Sequence, residues 1–417
     1  MTPTLSVVIV SRGRPRLLAR ALTGLDQQRG AAFEVVVVAD PAGVAAVALW
    51  KHRIRAASFE EANISAARNR GIALSRGEVV AFLDDDAVPE TSWARRLLAP
   101  FSERSTVAAT GTVLGRNGIG VQWPFRWVDR EGRHGDLIPP GAALGPEGRW
   151  LRLPAGDRAV KTEGTNMAFR RSALRRVGGF DEAIRFYGDE AELNLRLAHL
   201  RKTTALVPGA VVHHGFAASS RRRADRAPLD LTEIAASMAV LARRHGGDAD
   251  RMRAALAVEQ RDRMMRHLIA GTAEPRDVGA RLAELDAGWG DGFGRALRPP
   301  PSVGPAGGIL PFEPASTGAP AFLWGRDPGV LKSRAFRLLA EGRPVTVLRL
   351  TRGWRRHRVA FEDGVWWQEG GRLGRSHRDR RPATTDFAAR AAEERERVAA
   401  MRDLPPDGAV CGTAGSP

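Results

Sequence analysis

The chain is poor in cysteine. Cys411 is the only one in 417 residues, and it sits in a Gly/Pro-rich tail. A single thiol forms neither an internal disulfide nor a cysteine-based zinc site, which fits a reducing compartment. Lysine is nearly as scarce: with only Lys51, Lys161, Lys202 and Lys332 present, 60 of the 64 basic residues are arginine. The net charge of +17 therefore reads as a compositional skew rather than a phosphate-reading surface, and nucleic acid is not an expected partner. No apolar run approaches the roughly 18 residues of a membrane-spanning helix. Val7–Val10 is too short for a signal-peptide core and has no basic segment before it. The expected location is cytoplasmic. The basic excess is concentrated in residues 331–381, which carry 14 basic and 5 acidic side chains, a patch suited to peripheral contact with an anionic inner membrane face.

What is present belongs to a globular protein of two or three domains: 43% hydrophobic and 27% charged residues over 417 positions. The first hundred residues alternate short β-branched runs with amphipathic segments, the rhythm of a parallel α/β sheet. Strands are expected at Leu5–Val10, Phe33–Ala39, Glu78–Leu83 and Thr106–Val113. Helices are expected after Pro15, at Asn63–Leu74 and at Glu90–Phe101. Between Gly115 and Val160 the pattern dissolves into Gly, Pro and Trp, and a stretch of that length is expected to serve the acceptor side of a site and to be mobile without ligand. A helix follows at Asp189–Leu200, two short strands at Ala205–His214, and helical segments from Asp230 to about Ala287. The fold class is thus α/β, with a helical extension over 215–298. A Pro/Gly-rich linker is expected over 299–320, followed by a small basic α+β module over 321–417 with a hairpin turn at Asp363-Gly364.

The chemistry gathers around Asp84-Asp85-Asp86. Three adjacent carboxylates repel one another, and they stand at the carboxyl end of a buried strand, where α/β sheets bind ligands. A hard divalent cation, Mn²⁺ or Mg²⁺, relieves the repulsion and bridges a carboxylate to two phosphates. The competing reading is a solvated acidic turn capping the next helix. Asp40 ends the second strand, placed to accept a hydrogen bond from a base or ribose, or else is a turn residue. Arg68 faces phosphate or base, or else is a solvated helix charge. Asp189, Glu190 and Glu192 cluster at a helix start, which electrostatics alone favours. His214 ends a strand, where a neutral imidazole completes a metal site.

Taken in order, Leu5 to Ser11, Asn63 to Gly71, the aspartate triplet, Gly164-Thr165-Asn166 and Gly179-Phe180-Asp181-Glu182 resemble the family 2 glycosyltransferases, inverting enzymes of the GT-A fold. The resemblance covers Leu5 to His214. It implies a GT-A-like nucleotide-diphospho-sugar transferase fold, and a metal-dependent transfer of sugar from a nucleotide-diphosphate donor, expected to be a UDP-sugar, to a hydroxyl of a glycan, lipid-linked or other acceptor. It implies Ser11, Asp40 and Arg68 at the nucleotide, Asp84 and Asp85 in the donor-binding set with Asp85 at the ribose, Asp86 and His214 at the metal, and Glu190 or Asp189 as general base, Glu190 favoured by register. Two departures stand out: Pro41 follows Asp40, and the family's Glu-Asp order appears as Asp189-Glu190. The rival readings are a nucleotidyltransferase, which leaves Gly164–Glu192 without a role, and a non-catalytic scaffold working through the basic C-terminal module.

Overall fold

The computed structural model describes residues 2–137, 149–151, 158–377, 386–406 and 411–412. Runs of Val, Ile and Leu without polar alternation form strands covered on both faces. The first half alternates β1 (Leu5–Ser11), α1 (Pro15–Leu25), β2 (Phe33–Ala39), α2 (Pro41–Ala46), β3 (Ile54–Ser58), α3 (Ile64–Leu74) and β4 (Val79–Asp84). Then come β5 (Ala87–Pro89), α4 (Trp93–Leu98) and β6 (Thr106–Leu114). The short strands β7 (Val121–Trp123), β8 (Arg126–Asp129), β9 (His134–Asp136), β10 (Arg149–Leu151) and β11 (Arg158–Lys161) lead to β12 (Asn166–Arg170), α5 (Arg171–Val177), α6 (Asp189–Ala198) and β13 (Thr203–His214). Helices α7 (Thr232–His245), α8 (Ala249–Ile269) and α9 (Pro275–Gly294) form the extension. The C-terminal part holds β14 (Ala321–Gly325), α10 (Pro328–Ala340), β15 (Val345–Thr351), β16 (Arg358–Glu362), β17 (Val365–Gly371), α11 (Phe387–Arg402) and β18 (Cys411–Gly412).

The central sheet runs β10-β13-β6-β12-β4-β1-β2-β3. β3, β2, β1 and β4 are parallel, β12 lies antiparallel between β4 and β6, and β6 and β13 are parallel again. The parallel half is what the sequence rhythm implies; with β12 inserted antiparallel the whole is a Rossmann-like mixed sheet, as the GT-A resemblance implies. One face packs under α1 and α4 through Leu18, Leu22, Trp93 and Leu97; the other packs under α3, α5 and α6 through Ile72, Leu174 and Leu193. Close approach explains one motif glycine: a Cβ on Gly71 would stand 2.3 Å from Val8 Cγ1, so α3 lies on β1 only with glycine there.

Three segments differ from the sequence expectation. Residues 203–214 form one strand, not two, interrupted by a register shift between Val207 and Val211 where Pro208 and Gly209 break the ladder. The irregular stretch contains a small antiparallel sheet, β11-β8-β9, whose strands of three or four residues are too short to show a period. Residues 138–148 and 152–157 of that stretch lie outside the described residues. The 299–320 segment has no helix or strand but is packed against the sheet domain. Phe312 is 3% exposed and stacks on Phe33 at 5.4 Å, the Phe312 N–H donates to Phe33 O, and Gly179 N–H donates to Pro301 O.

Candidate functional site

β4 carries Asp84 to the carboxyl edge of the sheet, and the chain turns through Asp85 and Asp86 into β5. Antiparallel pairing of β5 with the end of β13 sets His214 opposite Ala87 and therefore beside Asp86. His214 Nε2 stands 3.1 Å from Asp86 Oδ1. The Ala217 N–H donates to Asp86 Oδ2 at 2.8 Å. One ligand atom each from Asp84, Asp86 and His214 lie within 4.8 Å of one another, two oxygens and an imidazole nitrogen converging on one point. That donor set and span suit a divalent cation such as Mn²⁺. Asp85 and Asp86 are 5% and 2% exposed, so the solvated-turn reading of the triplet fails. Burial alone would raise the Asp86 carboxyl, but His214, the Ala217 N–H and Arg14 hold it far below the usual range. Burial pushes Asp85 up to about 6, against the opposing effect of Arg14.

The β1 end and its loop wall one side. Ser11 Oγ donates to Asp85 Oδ2 at 2.7 Å, and Arg14 Nη1 lies 3.1 Å from Asp85 Oδ1 and 3.8 Å from Asp86 Oδ2. Asp40 serves as the N-cap of α2, accepting from Gly43 N–H at 2.9 Å and from Gly13 N–H at 2.8 Å. It still lines the cleft, with its carboxylate ordering the loop that carries Ser11 and Arg14.

Arg68 is 3% exposed and belongs to the floor, which removes its reading as a solvated charge. Its guanidinium pairs with Asp189, reaches Asp84 Oδ1 at 3.4 Å and donates to the Gly164 carbonyl at 3.3 Å. Thr165 Oγ1 donates to Asp84 Oδ2 at 2.6 Å. The α6 start thus joins the aspartate strand through one arginine. The preceding Tyr187 and Gly188 both have positive φ, 70° and 81°, an unusual backbone for Tyr187, and strained conformations of this kind gather at functional sites. Glu190 points elsewhere: Lys161 Nζ lies 2.9 Å from it and 3.0 Å from Glu163, which also binds Arg126 at 2.6 Å. Burial opposes ionisation of Glu190, but Lys161 outweighs it and holds the carboxyl below its ordinary value. Asp189 is raised, because burial and the neighbouring Glu190 outweigh Arg68. Glu192 is fully buried against Arg196 and His245, away from the cleft.

Ser11, Asp40, Arg68, Asp84, Asp85, Asp86, Asp189, Glu190 and His214, the nine residues to which the sequence resemblance assigns a role in the site, line one cleft of about 1380 Å³, while Glu192 does not. That exceeds the roughly 300–1,000 Å³ of a site for one drug-sized ligand and leaves room for two substrates. Beside Glu190 part of the wall is apolar, with Phe186, Ile234, Met238, Leu241 and Leu256, interleaved with charged residues such as Glu131, Glu259 and Arg263. Sequence reasoning missed Arg14, Lys161, Thr165 and Arg222 as cleft residues. Lys161 carried a signal, as one of four lysines in a chain that otherwise uses arginine. Other motif residues are structural. Asn69 bonds the Phe180 backbone in both directions, and Asn166 accepts from Trp93 Nε1 and donates to the Ala210 and Thr112 carbonyls.

Residues 6–178 match the family described as Glycosyl transferase family 2. The chain is 28% identical over 241 residues to the O-antigen biosynthesis protein RfbC of Myxococcus xanthus, covering 54% of this chain and 18% of that one. It is 29% identical over 140 residues to a glucosyl-dolichyl phosphate glucuronosyltransferase of Haloferax volcanii, covering 31% and 38%. The chain thus spans less than two fifths of the length of these curated relatives. Among solved structures, GalNAc-T7 with UDP, GalNAc and Mn²⁺ aligns with a TM-score of 0.45 at 17% identity over 58% of this chain and 48% of that one. Staphylococcus aureus TarS 1–349 in complex with UDP aligns with 0.41 at 16% identity over 58% and 65%.

Proposed function

We propose that the chain, whose residues 6–178 match glycosyl transferase family 2, is a metal-dependent, inverting transferase of that family that moves a sugar from a nucleotide-diphosphate donor, a UDP-sugar first among candidates, to an acceptor hydroxyl. Asp86 and His214, with Asp84 in reach, fit a Mn²⁺ or Mg²⁺ ion, which when bound offsets the charge developing on the leaving diphosphate. Ser11, Asp40 and Asp85 are proposed for the base and ribose side, with Arg14 and Arg222 toward the phosphates. Glu190, ionised and oriented by Lys161, takes the acceptor's proton while that oxygen bonds to the anomeric carbon and the bond to the diphosphate breaks. A single displacement of this kind inverts the anomeric centre. The partly apolar wall beside Glu190 is the proposed acceptor side.

The observation that carries the proposal is the meeting, in one cleft, of the Asp84–Asp86–His214 group and the Lys161-held Glu190. A panel of nucleotide sugars, incubated with and without Mn²⁺, tests it. We expect metal-dependent release of a nucleoside diphosphate from at least one donor. Release of pyrophosphate from a nucleoside triphosphate offered together with a sugar 1-phosphate would instead support nucleotidyl transfer, and no turnover of either kind of substrate would favour the scaffold reading. Trp354, 76% exposed among exposed Arg352, Arg355 and Arg356, supports peripheral contact of the C-terminal part with an anionic membrane, the site of a lipid-linked acceptor. Equal binding of the wild-type chain and a Trp354→Ala variant to anionic vesicles would argue against that contact.

A further inference from the structure

His213 and His214 are consecutive residues of one strand, so their side chains leave opposite faces. His214 meets Asp86 on the cleft face. On the other face His213 Nε2 lies 2.7 Å from Glu90 Oε1. Asp86 and Glu90 flank β5 at its two ends, and β5 has only three residues, paired among the described residues with β13 alone. Its register against His214 is therefore fixed by few ladder bonds, Gly215 N–H to Asp86 O and Glu90 N–H to Val211 O among them, and by these two histidine–carboxylate contacts.

Glu90 is in turn gripped from far along the chain. Arg402, at the end of α11 and 312 positions away, donates from Nε to Oε2 at 2.8 Å and from Nη2 to Oε1 at 2.9 Å. Glu90 is fully buried and Arg402 is 2% exposed. Trp366 of β17 closes the cluster: its ring centroid lies 4.6 Å from that of His213, and the Arg402 guanidinium sits 4.5 Å from it. Arg402 Nη1 also donates to Thr346 Oγ1 at 3.2 Å. Burying two charges costs desolvation that their attraction only offsets, so such a pair contributes little net stability while a bidentate arginine fixes direction.

We propose that Arg402 and Glu90 are positioning residues for the metal site: the C-terminal module braces the rear of β5 and β13 through Glu90 and His213, and thereby holds Asp86 and His214 at ligating distance on the front. The inference rests on the metal reading above. It makes the module a part of the catalytic unit rather than a separate appendage.

The test uses the full chain and Mn²⁺ alone, titrated by calorimetry and by the loss of free-ion paramagnetic signal, at a temperature well below each variant's thermal midpoint. Arg402→Met removes the grip. The Glu90→Gln/Arg402→Met pair removes both charges and keeps a folded protein in hand should the single variant fail. Arg95→Met, which breaks the more exposed ion pair to Asp403 at the same interface, is the control. We expect Mn²⁺ affinity to fall about tenfold or more in both Arg402 variants, the range seen when supporting partners of metal ligands are removed. It should be retained in Arg95→Met and partly recovered in Arg402→Lys. Amide exchange of residues 205–216 should rise in step with the affinity loss. Wild-type Mn²⁺ affinity in the folded Glu90→Gln/Arg402→Met variant overturns the brace and leaves the metal reading intact. No Mn²⁺ binding by the wild-type chain overturns both.

Discussion

Arg68 and Asp189 lie 121 positions apart and form a buried ion pair at the floor of the cleft, both side chains under 5% exposed. The same guanidinium reaches Asp84, so one arginine ties the aspartate strand to the helix that carries Glu190. Removing it leaves buried carboxylates uncompensated. We expect Arg68→Ala to cost about 3–5 kcal/mol of stability. Arg68→Lys should lower the thermal midpoint and the transfer rate while changing UDP affinity little, since the arginine is committed to protein partners. A large loss of UDP affinity in a well-folded Arg68→Lys variant would return Arg68 to the nucleotide pocket.

Asp86→Asn tests the metal group. The neutral amide keeps the shape of the side chain and can still meet His214 and the Ala217 N–H, so the fold should survive. The charge that would hold a cation is lost. Calorimetry with UDP should show the Mn²⁺-dependent gain in affinity falling at least about tenfold. A gain equal to wild type would remove Asp86 from the metal site.

How these residues came to be legible follows from their chemistry. The run of five apolar residues before Asp84, Val79 to Leu83, announces itself, because a buried parallel strand has no polar alternation to blur. The aspartates at its end are a charge repulsion that structure alone seldom explains. Asp40 and Arg68 were visible as residues but not in their partners: Gly43 and Gly13 for the one, Asp189 and Asp84 for the other. Those partners are set by the sheet order and by where β12 inserts, and no local pattern encodes either. The Pro/Gly-rich composition of 299–320 is shared by free linkers and by extended straps, and only Phe312 hints at the second. The Glu90–Arg402 pair had no signal at all: two charges 312 positions apart look solvated until the fold buries them together.

Part of the chain's acid sensitivity should lie in the C-terminal module. Glu394 is 1% exposed and, although burial raises it, Arg397, Ser376 and Arg390 hold it below 4.5. Its contribution is present above 4.5 and lost as pH falls through the lower folded value. Burial holds His357 below 6.5, so the unfolded chain takes up a proton that the folded one refuses, and stability falls as pH drops below about 6.5. Both act in one direction. The thermal midpoint should be level above pH 7, decline below it, and steepen under pH 4.5. Glu394→Gln takes from Arg390, 1% exposed, its buried carboxylate partner while Glu393 stays paired to it at 2.8 Å, and should cost about 1–3 kcal/mol at neutral pH while flattening the acid limb. An acid limb as steep as wild type in that variant would assign the sensitivity elsewhere.

A chain ending at Pro300 looks separable by composition, but the packing says otherwise. The cut removes Phe312 from Phe33, Trp366 from His213 and Arg402 from Glu90, uncovering apolar surface and a buried carboxylate together. We expect the truncated chain to aggregate or to unfold at a lower temperature than the full chain. A soluble product with the full chain's thermal midpoint and UDP affinity would show the C-terminal part to be dispensable.

The most exposed prediction concerns the base. Asp189 and Glu190 are neighbours at the start of α6, where consecutive residues point about 100° apart, so one alone can face an acceptor oxygen. Asp189 is turned inward to Arg68 and is 3% exposed. Glu190 is turned toward Lys161 and the part of the cleft whose wall is partly apolar. A base acts only once the acceptor is being deprotonated, so Glu190→Gln should bind donor normally, keep its thermal midpoint within a few degrees and lose transfer by about 10²- to 10⁴-fold. Asp189→Asn keeps a hydrogen-bond acceptor for Arg68 but loses the charge. It should lose stability first, with transfer falling only as far as the displaced α6 start misplaces Glu190. Donor affinity, thermal midpoint and sugar transfer, measured side by side on the two variants, decide between them. Should Asp189→Asn alone abolish transfer at unchanged donor affinity and unchanged midpoint, the base is Asp189, and the Arg68 pair is the device that orients it.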